Sequence, residues 1–248
     1  METGVVYVFV AAMITAVATG LGALPFVFMR QIGSWWLGIA NASAAGLMLG
    51  ATHNLIEEGT RLAPGRAMIG ILIGLAAIVV SDRLIRRRNP VEIAGLRGDG
   101  AAVALLILGV MTAHSFAEGV GVGVAFADTA ELGIFITTAI AIHNIPEGLA
   151  ICLVLIPRGT PVWKAGLWSV VTSLPQPLMA VPAFLFVTAF APLLPVGLGI
   201  AAGAMIWIVF SELIPEALEK TSGNAVGIAV TLSMVALWVF QLAVFGHG

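Results

Sequence analysis

The sequence predicts an all-α integral membrane protein with eight transmembrane helices, and three observations carry that prediction. Of 248 residues, 60% are hydrophobic and only 10% are charged, where a soluble domain carries roughly a quarter. The mean hydropathy is +1.07. The apolar residues also fall into runs of the roughly 20 residues needed to cross a bilayer core, and charges and helix breakers collect between the runs. The 29 glycines suit helices that pack backbone to backbone in lipid. The one cysteine, Cys152, excludes an internal disulfide framework. A net charge of −2, with no basic arm and no Gly-rich phosphate loop, gives no ground for nucleic-acid or nucleotide binding. The chain reads as a single transmembrane domain, residues 1–248.

The first span is placed at 4–29. Met1-Glu2-Thr3 lacks the basic start of a cleaved signal, so this run reads as a true span. The second, 36–57, ends on His53, Asn54, Glu57 and Glu58. The third, 65–84, leads into the longest connection, Arg-rich from Arg86 and carrying Asn89-Pro90 and Gly98-Asp99-Gly100. The fourth and fifth, 101–126 and 132–156, are joined by a short loop with Asp128 and Glu131. The sixth, 163–188, is interrupted by Pro175-Gln176-Pro177, and spans 193–218 and 224–246 complete the set. With the N-terminus outside, the inner side holds Arg30, Arg83, Arg86, Arg87, Arg88, Arg97, Arg158, Lys164 and Lys220, and the outer side only Arg61 and Arg66. Nine against two satisfies the positive-inside rule, so both termini are expected outside.

Three times a histidine precedes a glutamate by four residues: His53 and Glu57, His114 and Glu118, His143 and Glu147. On a helix each pair shares one face. Ionisable groups at mid-membrane are costly and mark ion paths or sites. Imidazole with carboxylate suits a divalent transition metal. The fourth and fifth spans run antiparallel through a short loop, so His114 and His143 are expected at similar depth, facing each other with Glu118 and Glu147. Ser115 and Asn144 add oxygens one position around, and Pro146 frees a carbonyl nearby. The prolines around Gln176 open the sixth span and point its amide inward; the alternative is a plain kink with Gln176 bonded to a freed carbonyl. In the seventh span Glu212 and Glu216 form either an exit relay or a solvated helix end. His53 and Glu57 form either an entrance site or interfacial polarity. Met48, one turn deeper, is a soft ligand or ordinary packing. His247 is expected to be solvated.

These residues resemble those of the ZIP (zinc- and iron-regulated transporter-like) family of metal transporters. The resemblance rests on His143-Asn144-Ile145-Pro146-Glu147-Gly148-Leu149-Ala150 and on the related run His114 to Gly119. It extends to Ala201-Ala202-Gly203-Ala204-Met205 and Glu212-Leu213-Ile214-Pro215-Glu216. It implies a three-two-three bundle, with spans one to three and six to eight as inverted repeats around spans four and five. It also implies transport of Zn²⁺, and often Fe²⁺, Mn²⁺ or Cd²⁺, toward the cytosol, and a homodimer. His114, Glu118, His143 and Glu147 would take one metal. Asn144, Glu118 and Glu147 would share a second with a group on span six. Met48, Met205 and Glu212 would line the pathway. Ser115, where an asparagine is common, and Gln176, where a glutamate is common, depart from the pattern. One strong metal site is therefore expected.

The expected function is uptake of a divalent metal, most simply zinc, across a plasma or bacterial inner membrane by alternating access, with no resident cofactor. A proton-coupled carrier of another solute and a metal-selective channel are the alternatives. An intramembrane metalloprotease is disfavoured, because its H-E-x-x-H string is missing.

Overall fold

A computed structural model describes residues 2–28, 33–87 and 92–245. Arg30, Arg88, Asn89, Pro90 and His247, used in the sequence reading, lie outside the described residues. Among the described residues helix follows helix, and the only β pairing is a single bridge between Ile93 and Leu96.

Span one is Glu2–Gly20, continued through the 3-10 turn Leu21–Ala23 into Leu24–Val27. Span two, Ser34–Leu62, runs a turn past its predicted end. Its last turn is polar but supported, because Arg61 reaches back to Glu58 at 2.7 Å. Span three is Pro64–Arg87, span four Gly98–Asp128 and span five Ala130–Leu155. Span six is not the uniform helix its hydropathy suggests. Pro175 has no N–H to give, so the helix ends at Ser173, restarts at Pro175 and runs to Leu185, with a short Val187–Phe190 beyond. Span seven is Leu194–Ile208, a π turn Val209–Leu213, and Ile214–Lys220; span eight is Gly223–Phe245. Five of these segments are long and apolar enough to cross a membrane on those criteria alone. Span two carries its charges near one end, and span six is broken. Large apolar side chains such as Leu72 and Leu232 point outward, 66% and 64% exposed, as lipid-facing residues do.

The spans sort into two groups of four. Spans one, four, five and six pack on one another, and so do spans two, three, seven and eight. Exchanging spans one to four with six, seven, eight and five maps the principal contacts onto each other: one on five matches six on four, two on eight matches seven on three, and two on five matches seven on four. This is the three-two-three arrangement. Each repeat has an odd number of spans, so the second crosses the bilayer in the opposite sense.

Glycine decides where the backbones interlock. A Cβ at Gly148 would overlap the Thr19 carbonyl, and one at Gly123 the Ala180 carbonyl, both inside the first group. Gly74 and Gly203 hold spans three and seven together in the same way inside the second. Between the groups the glycine contacts are ordinary van der Waals ones: Gly197 to Ala117 at 3.4 Å and Gly121 to Leu194 at 3.9 Å.

Candidate metal site

The turn between spans four and five sets the depth of the site. Thr129 leaves span four in an extended conformation, and its hydroxyl caps span five by accepting from the Leu132 amide at 3.1 Å. Glu131 in the first turn complements the helix dipole. His114 precedes this turn, and His143 follows it, by nearly equal lengths of helix, about 21–22 Å at 1.5 Å per residue. The two rings therefore arrive at one level, with centroids 6.2 Å apart.

The four predicted side chains meet there. His114 Nε2 lies 3.3 Å from Glu118 Oε1 and 2.8 Å from Glu147 Oε1, and His143 Nε2 lies 3.1 Å from that same Glu147 oxygen. One donor atom from each of His114, Glu118, His143 and Glu147 falls within 4.8 Å of all the others. His114 is fully buried, Glu147 2% and Glu118 5% exposed, and His143 is the most open at 13%. His114 Nε2 and Glu147 Oε1 are close, yet neither has a hydrogen-bond partner among the described residues. Neither carboxylate is paired with Lys or Arg among the described residues. Two carboxylates buried without a cation are costly. A divalent ion would balance both charges and occupy the converging lone pairs, and two nitrogens with two oxygens are a set that zinc accepts.

Around this cluster the structure places a second, uncharged layer. Gln176 is fully buried. Its Oε1 accepts from Thr15 Oγ1 and from Asn144 Nδ2 (3.1 Å), and its Nε2 donates to Glu118 Oε2. Asn144 Nδ2 also donates to the Thr15 carbonyl at 2.8 Å, while its Oδ1 has no hydrogen-bond partner among the described residues. Thr19 and Ser173 share a hydrogen bond of 2.8 Å between spans one and six. Ser115 is buried beside His114. Gln176 thus points inward, as the first of the two sequence readings has it, and its bonds go to side chains rather than to a freed carbonyl. Thr15, Thr19 and Ser173 were not singled out from the sequence. The signal was there: Thr15 and Thr19 stand one turn apart in an otherwise apolar span.

The glycine after each glutamate has a local reason. A Cβ at Gly119 would lie 2.5 Å from the Gln176 carbonyl, so the missing side chain lets span six approach Glu118. Gly148 does the same for span one beside Glu147.

His143 and Glu118 line a cavity of about 770 Å³ that they share with Asn54, Glu57, Glu58 and Arg61. It lies on the face where spans two and four end and spans five and seven begin. Glu57 thus lines the approach. His53 is not among its lining residues and packs against Trp238, ring centroids 5.1 Å apart. Toward the opposite face, Ile151, Leu155, Met205 and Ile208 are fully buried in apolar packing. Met48 is buried and lines a small void with His143 and Glu147. Glu212 lies in the π turn, half-buried. Glu216 is held by Arg158 at 2.6 Å and Lys220 at 3.5 Å.

The family model described as ZIP Zinc transporter matches residues 94–245. A candidate zinc transporter of Arabidopsis thaliana is 44% identical over 96% of this chain, which spans only 38% of that longer protein. The zinc transporter GufA of Myxococcus xanthus is 31% identical over 90% of this chain and 95% of its own length. The zinc transporter ZupT of Corynebacterium aurimucosum is 29% identical over 97% of this chain and 98% of its own.

Proposed function

The chain belongs to the ZIP zinc transporter family, and from that premise we propose that it carries Zn²⁺ across the membrane by alternating access through His114, Glu118, His143 and Glu147. That it is a multi-pass membrane protein moving a divalent metal follows from the family; the choice of zinc, the direction and the cycle are this reading. One observation supports it above the others: four N and O donors, three of them on buried side chains, converge within 4.8 Å, and His114 Nε2 and Glu147 Oε1 have no hydrogen-bond partner among the described residues.

The ion enters from the cavity past Glu57 and Glu58, exchanging water for protein ligands as it passes His143, the most exposed of the four. The packed apolar layer around Met205 and Ile208 keeps it from leaking through. Movement of one four-helix group against the other then opens the opposite side. Interlocked glycines keep each group rigid, and the smoother contacts between groups let them move. Glu212 receives the ion on that side. With both termini outside, the cavity faces out and transport runs toward the cytosol, across a plasma or bacterial inner membrane.

The test is radiotracer uptake into proteoliposomes, with Zn²⁺, Fe²⁺, Mn²⁺ and Cd²⁺ in competition. Zinc uptake that saturates is expected, and it should vanish in His143→Ala and Glu147→Ala proteins that still fold and insert. Undiminished uptake by either variant refutes the assignment.

A further inference from the structure

The amide of Gln176 occupies one oxygen of a metal-binding carboxylate. Glu118 turns Oε1 toward His114, and its Oε2 accepts from Gln176 Nε2. The amide cannot turn over to release it. Its oxygen faces Asn144 Nδ2, an obligate donor, and Thr15 Oγ1, whose single hydrogen is shared with the Ala12 carbonyl, so the NH₂ group faces Glu118. All four of these residues are buried. The same bonds keep the Gln176 oxygen away from a metal, since coordination would strip both donors of it.

We propose that Gln176 is a specificity-determining positioning residue: it is not a ligand, and by holding Glu118 Oε2 it limits that carboxylate to one metal bond and the site to four donors. This rests on the reading that His114, Glu118, His143 and Glu147 hold the transported ion. A four-donor N₂O₂ shell suits Zn²⁺, which tolerates tetrahedral geometry, and handicaps Mn²⁺, which favours six oxygens. Selectivity then comes from denying a fifth donor rather than from raw affinity. Outer-shell hydrogen bonds of this kind typically change metal affinity by about 10–100-fold when lost. The chain from Thr15 also makes span one part of the device, although it supplies no ligand.

The discriminating variant is Gln176→Met, close to glutamine in length but unable to donate or accept strongly. Thr15 Oγ1 retains the Ala12 carbonyl and Asn144 Nδ2 retains the Thr15 carbonyl, so only Glu118 Oε2 is left alone. Purified protein in detergent is loaded with Co²⁺, whose visible absorption is intense in four-coordinate sites and weakens as coordination rises. The wild type is expected to give the intense bands. Gln176→Met should give weaker bands, as Glu118 turns both oxygens to the ion, and the ratio of zinc to manganese uptake should fall about tenfold. Thr15→Val removes one of the two donors that orient the amide, leaves Glu118 untouched, and should shift both readings in the same direction by less; it serves if the methionine variant does not fold. Wild-type bands together with an unchanged uptake ratio in the variants would overturn the proposal. Wild-type protein with no cobalt bands, or bands that persist in Glu147→Ala, would overturn the four-residue site and the proposal with it.

Discussion

A carboxylate is useful to a passing cation only if its neighbours let it stand where it does, and here two glycines do that. Gly119 and Gly148 each follow a glutamate of the buried cluster, and at each another helix backbone stands too close to admit a Cβ. Gly148→Ala forces the Thr19 carbonyl away and with it spans one and five. Overpacking of this kind costs about 1–3 kcal/mol, so the melting temperature in detergent should drop and zinc uptake should fall with it. Gly121→Ala is the control: a Cβ there meets only Leu194, at 3.9 Å, and both readings should stay at wild-type levels. The meeting of His114, Glu118, His143 and Glu147 was legible in the sequence because spacing on a helix becomes proximity on one face, and a short loop fixed the depth of the partner helix. Thr15, Thr19 and Ser173 were not. A hydroxyl in an apolar helix usually bonds a carbonyl one turn back, as Thr52, Thr112 and Thr138 do here. The pairing of Thr15 with Thr19 one turn on is a local hint, but it does not say that Thr15 also reaches a different helix.

Hydropathy finds the spans but is blind to breaks inside them. Span six has the composition of one helix and the geometry of two, because proline changes hydrogen bonding more than it changes polarity. The break between Ser173 and Pro175 starts a new helix whose first turn contains Gln176, and that start aims the amide at Glu118. Healing it separates fold from site. Replacing Pro175 and Pro177 together by alanine restores both missing donors and removes two residues that would each cost up to about 3 kcal/mol inside a continuous helix. The melting temperature should therefore hold or rise, while zinc affinity by equilibrium dialysis falls about tenfold as Gln176 swings from Glu118. Equal affinity in the two proteins would show that the kink does not aim the amide. Span seven carries a milder case. Pro215 cannot donate to the preceding turn, and the π segment Val209–Leu213 just before it takes up the irregularity, with Glu212 inside. Such segments recur at functional sites, and a count at 3.6 residues per turn does not place their side chains.

At the scale of the molecule, the two helix groups meet at a cavity on one face and at an ion pair on the other. Arg158, in the turn after span five, belongs to the first group; Glu216, on span seven, belongs to the second. Their 2.6 Å contact, extended by Lys220, crosses the boundary beneath the packed apolar layer. The sequence marked Glu216 as charged without saying whether it faced the ion path or a partner, because Arg158 lies 58 residues away along the chain. In the proposed cycle this pair must break before the opposite face opens. A partly exposed pair contributes up to about 1 kcal/mol, which corresponds to a population shift of about fivefold. Glu216→Gln should therefore favour the state open on the Arg158 side by that factor without touching the four donors. A reporter follows from the helix repeat: Ile151 is fully buried on span five, one turn from Glu147 and on the same face. In an Ile151→Cys, Cys152→Ser background, a maleimide added from the Arg158 side should label faster by a few fold once Glu216→Gln is introduced. Excess zinc should still bind the variant in detergent with wild-type stoichiometry. Labelling at an unchanged rate would mean that the pair only decorates the surface, and that the apolar layer alone keeps that face shut.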